Sequence, residues 1–283
     1  GGFVNYYQLL FAKNEMKKAS LKLPEIPSIK DGLFVYYLTG KKFIFQTLFC
    51  ALSLYKNAGL IFQFVLVDDG SLDKSDISFL KRKMPNVILI LKDEILENVN
   101  KFLPVNDFPF LNHKRKVYPH IKKLTDIHTL QISSPKLVLD SDMIFFDTPS
   151  EIIKWLKDPK GCLYMMDCQE SYGYNVSLMN RICGHKVPNK MNVGVIGFNS
   201  EAINWKEIEQ WGLNLERAGG TSYYLEQALC AMLAAKEDEK TILDENKYIV
   251  FPNKAQIENR VGILHHYVDL SKEHYFKKIW KQI

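Results

Sequence analysis

The sequence comprises 283 residues, of which 47% are hydrophobic and 24% are charged, so it is long enough for one large domain with a substantial core. A net charge of +5, with lysine and arginine scattered along the chain, is too weak a pattern for a nucleic-acid partner. No apolar run reaches the roughly 20 residues that cross a bilayer. The five cysteines lie mostly in apolar surroundings, which is typical of free thiols in a reducing compartment. We therefore expect a cytoplasmic protein, or one bound peripherally to a membrane, without a transmembrane segment.

The chain begins with a predicted helix over residues 3–23, which Pro24 and Pro27 end. We expect residues 1–30 to form an N-terminal helical extension and residues 31–283 to form a single domain. Strands and helices then alternate through the first half of that domain, at residues 33–38, 43–57, 62–67, 73–83 and 87–91. This order predicts a doubly wound α/β sheet whose ligand site lies where the strands end.

The segment that follows, residues 92–112, contains two prolines and several Asn and Asp residues, and it is predicted to be a surface excursion. Small residues interrupt the predicted strand at residues 191–199, and in a strand they often mark the close approach of a ligand or of backbone. The remaining predictions are helices at 118–130, 148–156, 223–235 and 272–280, and strands at 136–139, 162–166 and 263–268.

The acidic triplet Asp140-Ser141-Asp142 stands between two apolar runs near the middle of the chain. Two carboxylates this close at the end of a buried strand repel each other, and they normally persist there by sharing a cation. A divalent metal is the simplest partner. The alternative is that the triplet only ends the strand, since Asp and Ser favour turns. In a parallel sheet, Thr39-Gly40 and Asp68-Asp69 would lie on the same rim as the triplet.

One basic residue and four short motifs follow one another along the chain: Lys123, Asp140-Ser141-Asp142, Asn192-Val193-Gly194-Val195, Glu226-Gln227 and His265-His266-Tyr267. This series resembles nucleotide-sugar glycosyltransferases of the GT-A fold, closest to glycosyltransferase family eight, the glycogenin and bacterial galactosyltransferase group. In that family an Asp-x-Asp motif and a later histidine hold a divalent cation, which bridges the donor diphosphate. A basic residue, an Asn-x-Gly-Val strand and an Asp-Gln pair contact the donor.

The chain departs from the family after the histidines, where the usual Gly and Lys-Pro-Trp are missing. Lys272 is the nearest candidate for the lysine that binds the diphosphate. Asp68-Asp69-Gly70-Ser71 also resembles glycosyltransferase family two, in which an aspartate at that point contacts the base. The resemblance thus supports the metal role better than the diphosphate contact.

The resemblance implies an α/β fold of GT-A type, with a Rossmann-like mixed sheet flanked by helices in a single catalytic domain. It implies transfer of a hexose from a nucleoside diphosphate sugar, a UDP-sugar, to a carbohydrate or other hydroxyl acceptor, with retention of anomeric configuration and with Mn²⁺ or Mg²⁺ bound. The acceptor is expected to contact residues 92–112 and 169–190.

Roles follow for individual residues under this resemblance. The expected metal ligands are Asp140, Asp142 and one of His265 and His266, because strand alternation would turn only one histidine toward the site. The expected donor contacts are Thr39, Gly40, Asp69, Lys123, Ser141, Asn192, Gly194 and Lys272. The expected catalytic residues are Glu226, Gln227 and Asp167, which would orient the sugar or the acceptor.

Two other functions stay open on the sequence alone. A sugar-nucleotide pyrophosphorylase would need a glycine-rich basic loop after its first strand, and Thr39-Gly40-Lys41-Lys42 is a faint candidate. A noncatalytic carbohydrate-binding protein on a degenerate transferase fold is the second alternative. The retained Asp140, Asp142 and C-terminal histidine argue against such decay.

Overall fold

The structure, a computed structural model, describes residues 3–283. Gly1 and Gly2, at the start of the predicted extension, lie outside the described residues. The predicted α/β fold with a mixed sheet is confirmed. The strands are β1 (Leu33–Thr39), β2 (Phe62–Asp68), β3 (Ile88–Ile90), β4 (Pro135–Leu139), β5 (Met143–Phe145), β6 (Cys162–Met166), β7 (Met191–Asn199), β8 (Lys240–Leu243), β9 (Tyr248–Val250) and β10 (Leu264–His266).

The helices flank the strands on both sides. They are α1 (Phe3–Ser20), α2 (Ile44–Ala58), α3 (Lys74–Lys83), α4 (Lys92–Phe102), α5 (Pro109–Val117), α6 (Lys122–His128), α7 (Ser150–Lys157), α8 (Val176–Cys183), α9 (Trp205–Gly219), α10 (Leu225–Lys236), α11 (Lys254–Glu258) and α12 (Lys272–Lys277).

The large sheet has the strand order β3-β2-β1-β4-β7-β6-β8. Strands β3, β2, β1 and β4 run parallel, so their C-terminal ends share one edge, as the doubly wound order predicts. Strand β7 runs antiparallel to β4 and β6. The start of β7 therefore lies at the same edge as the end of β4.

A small sheet with the order β5-β10-β9 stands beside that edge. Strand β10 pairs antiparallel with β5, and His266 lies opposite Met143. This pairing brings a strand from near the end of the chain next to the acidic triplet. The two segments are far apart in sequence, so only the tertiary fold makes them neighbours.

Side chains of the central strands alternate between two cores on opposite faces of the large sheet. Tyr36 and Val138 join the core beneath α4, α5, α6, α9 and α10. Tyr37 and Leu137 join the core beneath α2, α3 and α7. Because helices cover both faces, β2 is buried along its whole length, and its sequence is a nearly continuous apolar run.

A third apolar cluster joins the two ends of the chain. Ala12 and Met16 of α1 pack with Tyr275 and Phe276 of α12. Neither α1 nor any other helix within residues 3–283 combines the length and the apolarity needed to cross a bilayer.

The predicted surface excursion at residues 92–112 is wrong, because α4 and the start of α5 occupy much of this segment. Ile95 and Val99, one helical turn apart, are buried in the main core. Pro109 takes the first position of α5, where a missing N–H breaks no hydrogen bond. Proline therefore marks the start of a helix here, and the loop interpretation overlooked the apolar spacing in α4.

Candidate functional site

The triplet Asp140-Ser141-Asp142 lies where the large sheet meets the small one. The N–H of Asp140 donates to the carbonyl oxygen of Gly194 at 2.8 Å, and the carbonyl oxygen of Asp142 accepts the N–H of Tyr267 at 2.9 Å. These two bonds hold the triplet between β7 and β10. The Asp140 side chain is 27% exposed and that of Asp142 is 16% exposed, so both carboxylates can still meet a ligand.

Strand β10 delivers one of the two histidines to this triplet. Nε2 of His266 lies 3.3 Å from Oδ1 of Asp142 and 3.7 Å from Oδ2 of Asp140. His265 lies on the other side of the strand, where its Nε2 is 2.6 Å from the carbonyl oxygen of Val261. Of the two histidines expected at a metal, the fold therefore brings only His266 to the carboxylates, as alternation requires.

Hydrogen bonds fix the proton on the ring of His266. The amide nitrogen of Asn192 donates to Asp167 at 2.9 Å, and Oδ1 of Asn192 accepts the N–H of Gly194 at 2.8 Å. The same Oδ1 lies 3.1 Å from Nδ1 of His266, so Nδ1 must carry the proton that it donates. In the neutral ring, Nε2 then faces the aspartates with its lone pair free for a metal.

Gly194 explains how this ring fits against β7. A Cβ atom at this position would lie 2.5 Å from Cε1 and Nδ1 of His266 and 2.9 Å from Oδ1 of Asn192. Non-bonded carbon atoms do not approach so closely, so a larger residue would displace the histidine. The small residue in the predicted strand does mark a close approach, and the approaching group is this imidazole.

Asp140, Asp142 and His266 have the composition of a divalent-cation site. Their candidate ligand atoms all lie within 4.8 Å of one another. Two carboxylates and one imidazole with a free lone pair suit a cation such as Mn²⁺ and leave positions open for the oxygens of a ligand. The residues present therefore fit the metal that the sequence resemblance implies.

Lys123 of α6 is buried beside the triplet. Its Nζ donates to Oδ1 of Asp140 at 2.7 Å and to the carbonyl oxygen of Val193 at 3.0 Å, and lies 3.7 Å from Oε1 of Glu226. Burial opposes its charge, but the carboxylates of Asp140 and Glu226 raise the pKa of Lys123 above its ordinary value. A permanent positive charge therefore stands next to the candidate metal site.

Lys272, at the start of α12, stands on the other side of the triplet. Its Nζ lies 3.0 Å from Oδ2 of Asp142. Burial opposes the charge of Lys272, yet Asp142 raises its pKa above the ordinary value. Burial likewise opposes the charge of Asp142, but the neighbouring His266 and the charge of Lys272 hold its pKa below the usual range. Each aspartate thus has a lysine of its own.

A buried polar network extends from His266 toward α10. Oδ2 of Asp167, at the end of β6, accepts from the amide nitrogens of Asn192 at 2.9 Å and Gln227 at 3.2 Å. Its Oδ1 accepts the N–H of Cys168 at 2.8 Å. The fold therefore brings together Asp167, Asn192 and Gln227, all of which the sequence analysis expected near the sugar.

Glu226 lies in the first turn of α10, next to Lys123. Burial raises the pKa of Glu226 to about 7, although the charge of Lys123 acts in the opposite direction. A carboxyl group with such a pKa exchanges its proton near neutral pH, which suits a group that orients or exchanges protons with a hydroxyl.

The residues expected around the nucleotide lie at the ends of β1 and β2, on the same edge of the sheet. The Thr39 hydroxyl faces α2 and lies 2.9 Å from the hydroxyl of Thr47, so it is turned below the rim. A Cβ atom at Gly40 would lie 2.1 Å from Oδ1 of Asp69, so a larger residue here would require the Asp69 carboxylate to move. Oδ1 of Asp69 accepts from the N–H of Ser71 at 3.0 Å and from its hydroxyl at 2.5 Å.

Two further contacts tie this rim together. Nζ of Lys122, next to Lys123 on α6, donates to the carbonyl oxygen of Asp69 at 2.6 Å. The carbonyl oxygen of Ser141 accepts the hydroxyl of Tyr275 at 3.3 Å. The loop after β2 and the acidic triplet are thus both anchored to helices that carry the lysines of the site.

Two aromatic residues at the mouth of the site, His120 and Tyr223, were not among the predicted site residues. Their rings pack edge to face with centroids 4.8 Å apart. Burial and then the charge of Lys123 lower the pKa of His120. Tyr223 is 66% exposed. The available signal was their position, because each stands three residues before a predicted site residue, Lys123 and Glu226 respectively.

Comparison with solved structures identifies the fold. Mouse xyloside xylosyltransferase 1 superposes with a TM-score of 0.55 and 12% identity, covering 85% of this chain and 97% of its own. The galactosyltransferase LgtC, solved with donor and acceptor sugar analogs, gives 0.55 and 11%, covering 88% and 96%. The glycosyltransferase GlyE of Streptococcus pneumoniae gives 0.51 and 13%, covering 88% and 61%. The chain has the GT-A fold.

These similarities lie in the fold and not in the sequence. No protein-family model matches the sequence, and no curated protein sequence matches it. At identities of 11–13%, a shared GT-A fold does not by itself carry over a donor, an acceptor or a mechanism. Those must be argued from the site.

Proposed function

We propose that this GT-A chain is a metal-dependent glycosyltransferase that moves a hexose from a UDP-sugar to a carbohydrate or other hydroxyl acceptor with retention of anomeric configuration. Residues 31–283 would form the catalytic domain, with residues 1–30 as an extension. The observation that carries the proposal is the meeting of Asp140, Asp142 and His266 within 4.8 Å at the edge where the parallel strands end, which is where α/β sheets bind ligands.

Charge on the leaving diphosphate is the main obstacle to this reaction, because it grows as the glycosidic bond breaks. Asp140, Asp142 and His266 would hold the divalent cation, which supplies electrostatic stabilisation of the diphosphate when bound. Lys123 and Lys272 flank these ligands and are the cations of the chain placed to pair with phosphate oxygens. Their aspartate partners are the same groups that a metal would occupy, so metal and donor binding would release both lysines.

The sugar would lie against the buried network of Asp167, Asn192 and Gln227. Asn192 and Gln227 both donate to one oxygen of Asp167, and this fixes the side chains before a substrate arrives. Polar groups held in this way lose little entropy on binding sugar hydroxyls. Glu226, whose pKa burial raises to about 7, would meet the developing positive charge on the sugar or orient the acceptor hydroxyl.

The nucleotide would lie along the ends of β1 and β2. Asp69 and Gly40 form a close contact there, and Lys122 joins the Asp69 loop to the helix that carries Lys123. Asp69 would then offer its carboxylate to the base or ribose at the same edge as the proposed metal ligands. In this assignment Thr39 supports the loop from below through Thr47.

A thermal-shift experiment with a matched pair of variants tests the metal and donor roles together. We expect Mn²⁺ and UDP combined to raise Tm well above the effect of either alone, because ligands that bind only the folded state stabilise it. His266→Gln should lose this increment and His265→Gln should keep it, each measured against its own ligand-free Tm. No metal-dependent stabilisation by any nucleoside diphosphate would refute the proposal.

Product analysis separates the proposal from its two rivals. A glycosyltransferase incubated with UDP-sugars and Mn²⁺ should release UDP, slowly with water and faster with an acceptor. A pyrophosphorylase would instead consume pyrophosphate and form a nucleoside triphosphate. Lys41, the basic residue of the faint phosphate loop, is paired with Asp73, which holds it toward the start of α3. A binding protein would show the stabilisation without product.

A further inference from the structure

Helix α1 exposes apolar side chains on the face that points away from the protein. Tyr6, Tyr7, Leu10 and Phe11 are 61%, 66%, 41% and 68% exposed. Leu9 is only partly buried, and Ala12 and Met16, on the opposite face, are buried against α12. The helix is therefore apolar on both faces, although the described residues cover only one of them.

The same outward face becomes basic toward the end of the helix. At about 100° per residue, eight exposed positions from Tyr6 to Leu21, the residue after α1, fall within a sector roughly 140° wide, and the exposed Gln8 lies about 60° outside it. We call these positions the α1 stripe: Tyr6, Tyr7, Leu10, Phe11, Asn14, Lys17, Lys18 and Leu21. The stripe combines aromatic, aliphatic and basic side chains and contains no carboxylate. Glu15, which lies beside it, pairs with Lys281 at 3.3 Å.

Exposed apolar side chains elsewhere away from the site are isolated by comparison. Val105, Val117 and Ile242 stand on three different segments, as single surface residues normally do. The α1 stripe instead groups four large apolar side chains within two helical turns. Contiguous exposed apolar patches on soluble domains mark binding surfaces.

We infer that the α1 stripe docks on an anionic lipid bilayer. Tyrosine and phenylalanine on a helix lying in the interface sit at the depth of the headgroups, where their rings are buried and the tyrosine hydroxyls stay hydrated. Lys17 and Lys18 extend from the same face, where they can pair with anionic headgroups. Charge complementarity favours this occupant over a second copy of the chain, because two stripes in contact would offer these lysines no carboxylate.

Cosedimentation of the full chain with vesicles tests the inference directly. We expect binding to vesicles of phosphatidylcholine mixed with phosphatidylglycerol, and much weaker binding to phosphatidylcholine alone. Lys17→Gln/Lys18→Gln should weaken binding by roughly 30-fold, and high salt should remove that difference. Tyr7→Ser/Phe11→Ser should weaken it at least about tenfold at every salt concentration.

Matched variants control for general changes in charge and apolar surface. Lys154→Gln/Lys157→Gln on α7 removes two exposed lysines, and Val117→Ser/Ile242→Ser removes two exposed apolar side chains. Both should bind as the unchanged protein does. Circular dichroism should show that every variant is folded.

Three results would overturn the inference. The first is no binding of the unchanged protein to the anionic vesicles, and the second is binding by both α1 double variants that equals that of the unchanged protein. The third is a dimer in light scattering that Tyr7→Ser/Phe11→Ser dissociates, which would assign the stripe to a second copy. Sedimentation does not depend on catalysis, so failure here would leave the proposed transferase function untouched.

Discussion

A buried lysine stands near each end of strand β4, and the two lysines are in opposite electrostatic situations. At the C-terminal end, Lys123 donates to Asp140, and nearby carboxylates raise its pKa. At the N-terminal end, Lys136 donates to the carbonyl oxygen of Ser133 at 2.7 Å and to the hydroxyl of Ser200 at 2.8 Å. Burial lowers the pKa of Lys136 to about 8, since its hydrogen-bond partners are neutral oxygens.

The difference separates the candidate site from a structural polar cluster. Beside Lys136, Nδ1 of His128 lies 2.8 Å from the Ser200 hydroxyl, and burial followed by the charge of Lys136 lowers the pKa of His128 to about 3. At the N-terminal end of β4, hydrogen bonds within the protein satisfy the polar groups, and His128 is uncharged. The other end keeps several full charges in partial contact with solvent, where a charged ligand can exchange partners with them.

The largest effect should come from Asp142→Asn at the site end. The substitution removes one of the two carboxylates that face His266, so we expect metal-dependent hydrolysis of a UDP-sugar to fall by about 10²–10³-fold. Release of UDP with Mn²⁺ present measures this, and circular dichroism checks the fold. Asp147→Asn, at an exposed aspartate outside the site, is the control. Unchanged turnover in Asp142→Asn would contradict the metal role.

The two lysines themselves provide the next test. Lys123→Met leaves Asp140 and Glu226 without the cation between them, so we expect a loss of about 3 kcal/mol in the free energy of unfolding and of about 100-fold in turnover. Lys136→Met removes a buried charge whose hydrogen-bond partners are neutral oxygens, so the unfolding free energy should change by only about 1 kcal/mol. Urea denaturation and kinetics measure both. Equal losses of unfolding free energy and of turnover in the two variants would contradict the proposed difference between the two ends of β4.

Strand β7 carries an asparagine near each end and allows a similar comparison. Asn192→Ala removes the acceptor that orients His266, so the affinity for Mn²⁺ should fall by about 10–100-fold. Asn199→Ala removes a cap that accepts the N–H of Glu201, so it should lower stability by about 1 kcal/mol and leave the metal affinity unchanged. Isothermal titration calorimetry with Mn²⁺ measures the affinity of each variant. A similar affinity in both variants would argue against the role of Asn192 in orienting His266.

The smallest effect is on the pH dependence of stability, through His128 near the N-terminal end of β4. Because the pKa of His128 in the folded state is about 3, below the value of about 6.5 in the unfolded chain, the unfolded state binds more protons between these values. Stability is therefore fully present above pH 6.5 and is lost as the pH falls, by about 1 kcal/mol at pH 5.5. Denaturation of His128→Gln should show a flatter acid limb. An identical pH dependence in the variant would show that His128 is not the group responsible.

Much of the fold was predictable because local signals agreed with it. The apolar runs of β1, β2 and β4 end at polar residues, and parallel pairing then brings those ends to one edge. Gly194 and the spacing of the acidic triplet indicated a close approach and a cation site. Helices α8 and α9 were not predicted, although Ile208, Trp211 and Leu215 of α9 have helical spacing and Asn175 and Asn204 cap the two helices, so here a local signal was overlooked.

The parts of the site that depend on long-range contacts could not be predicted. The sequence left His265 and His266 equivalent, and only the pairing of β10 with β5 decides which one faces Asp142. The raised pKa of Glu226, which lies buried beside Lys123 and Asp140, has no local signature either. These properties arise from neighbours that are distant in sequence, and no window of the chain contains both partners.

The backbone pairing of β10 with β5 also fixes when the site can exist. The strand that carries His266 is synthesised about 120 residues after Asp142, which corresponds to roughly 6–25 s at ordinary rates of translation. Until β10 leaves the ribosome, the nascent chain holds two carboxylates and Lys123 without the histidine. Because the N–H of Tyr267 donates to the carbonyl oxygen of Asp142, one short strand completes both the candidate metal ligands and the small sheet. The candidate cation site therefore forms only after β10 has been synthesised.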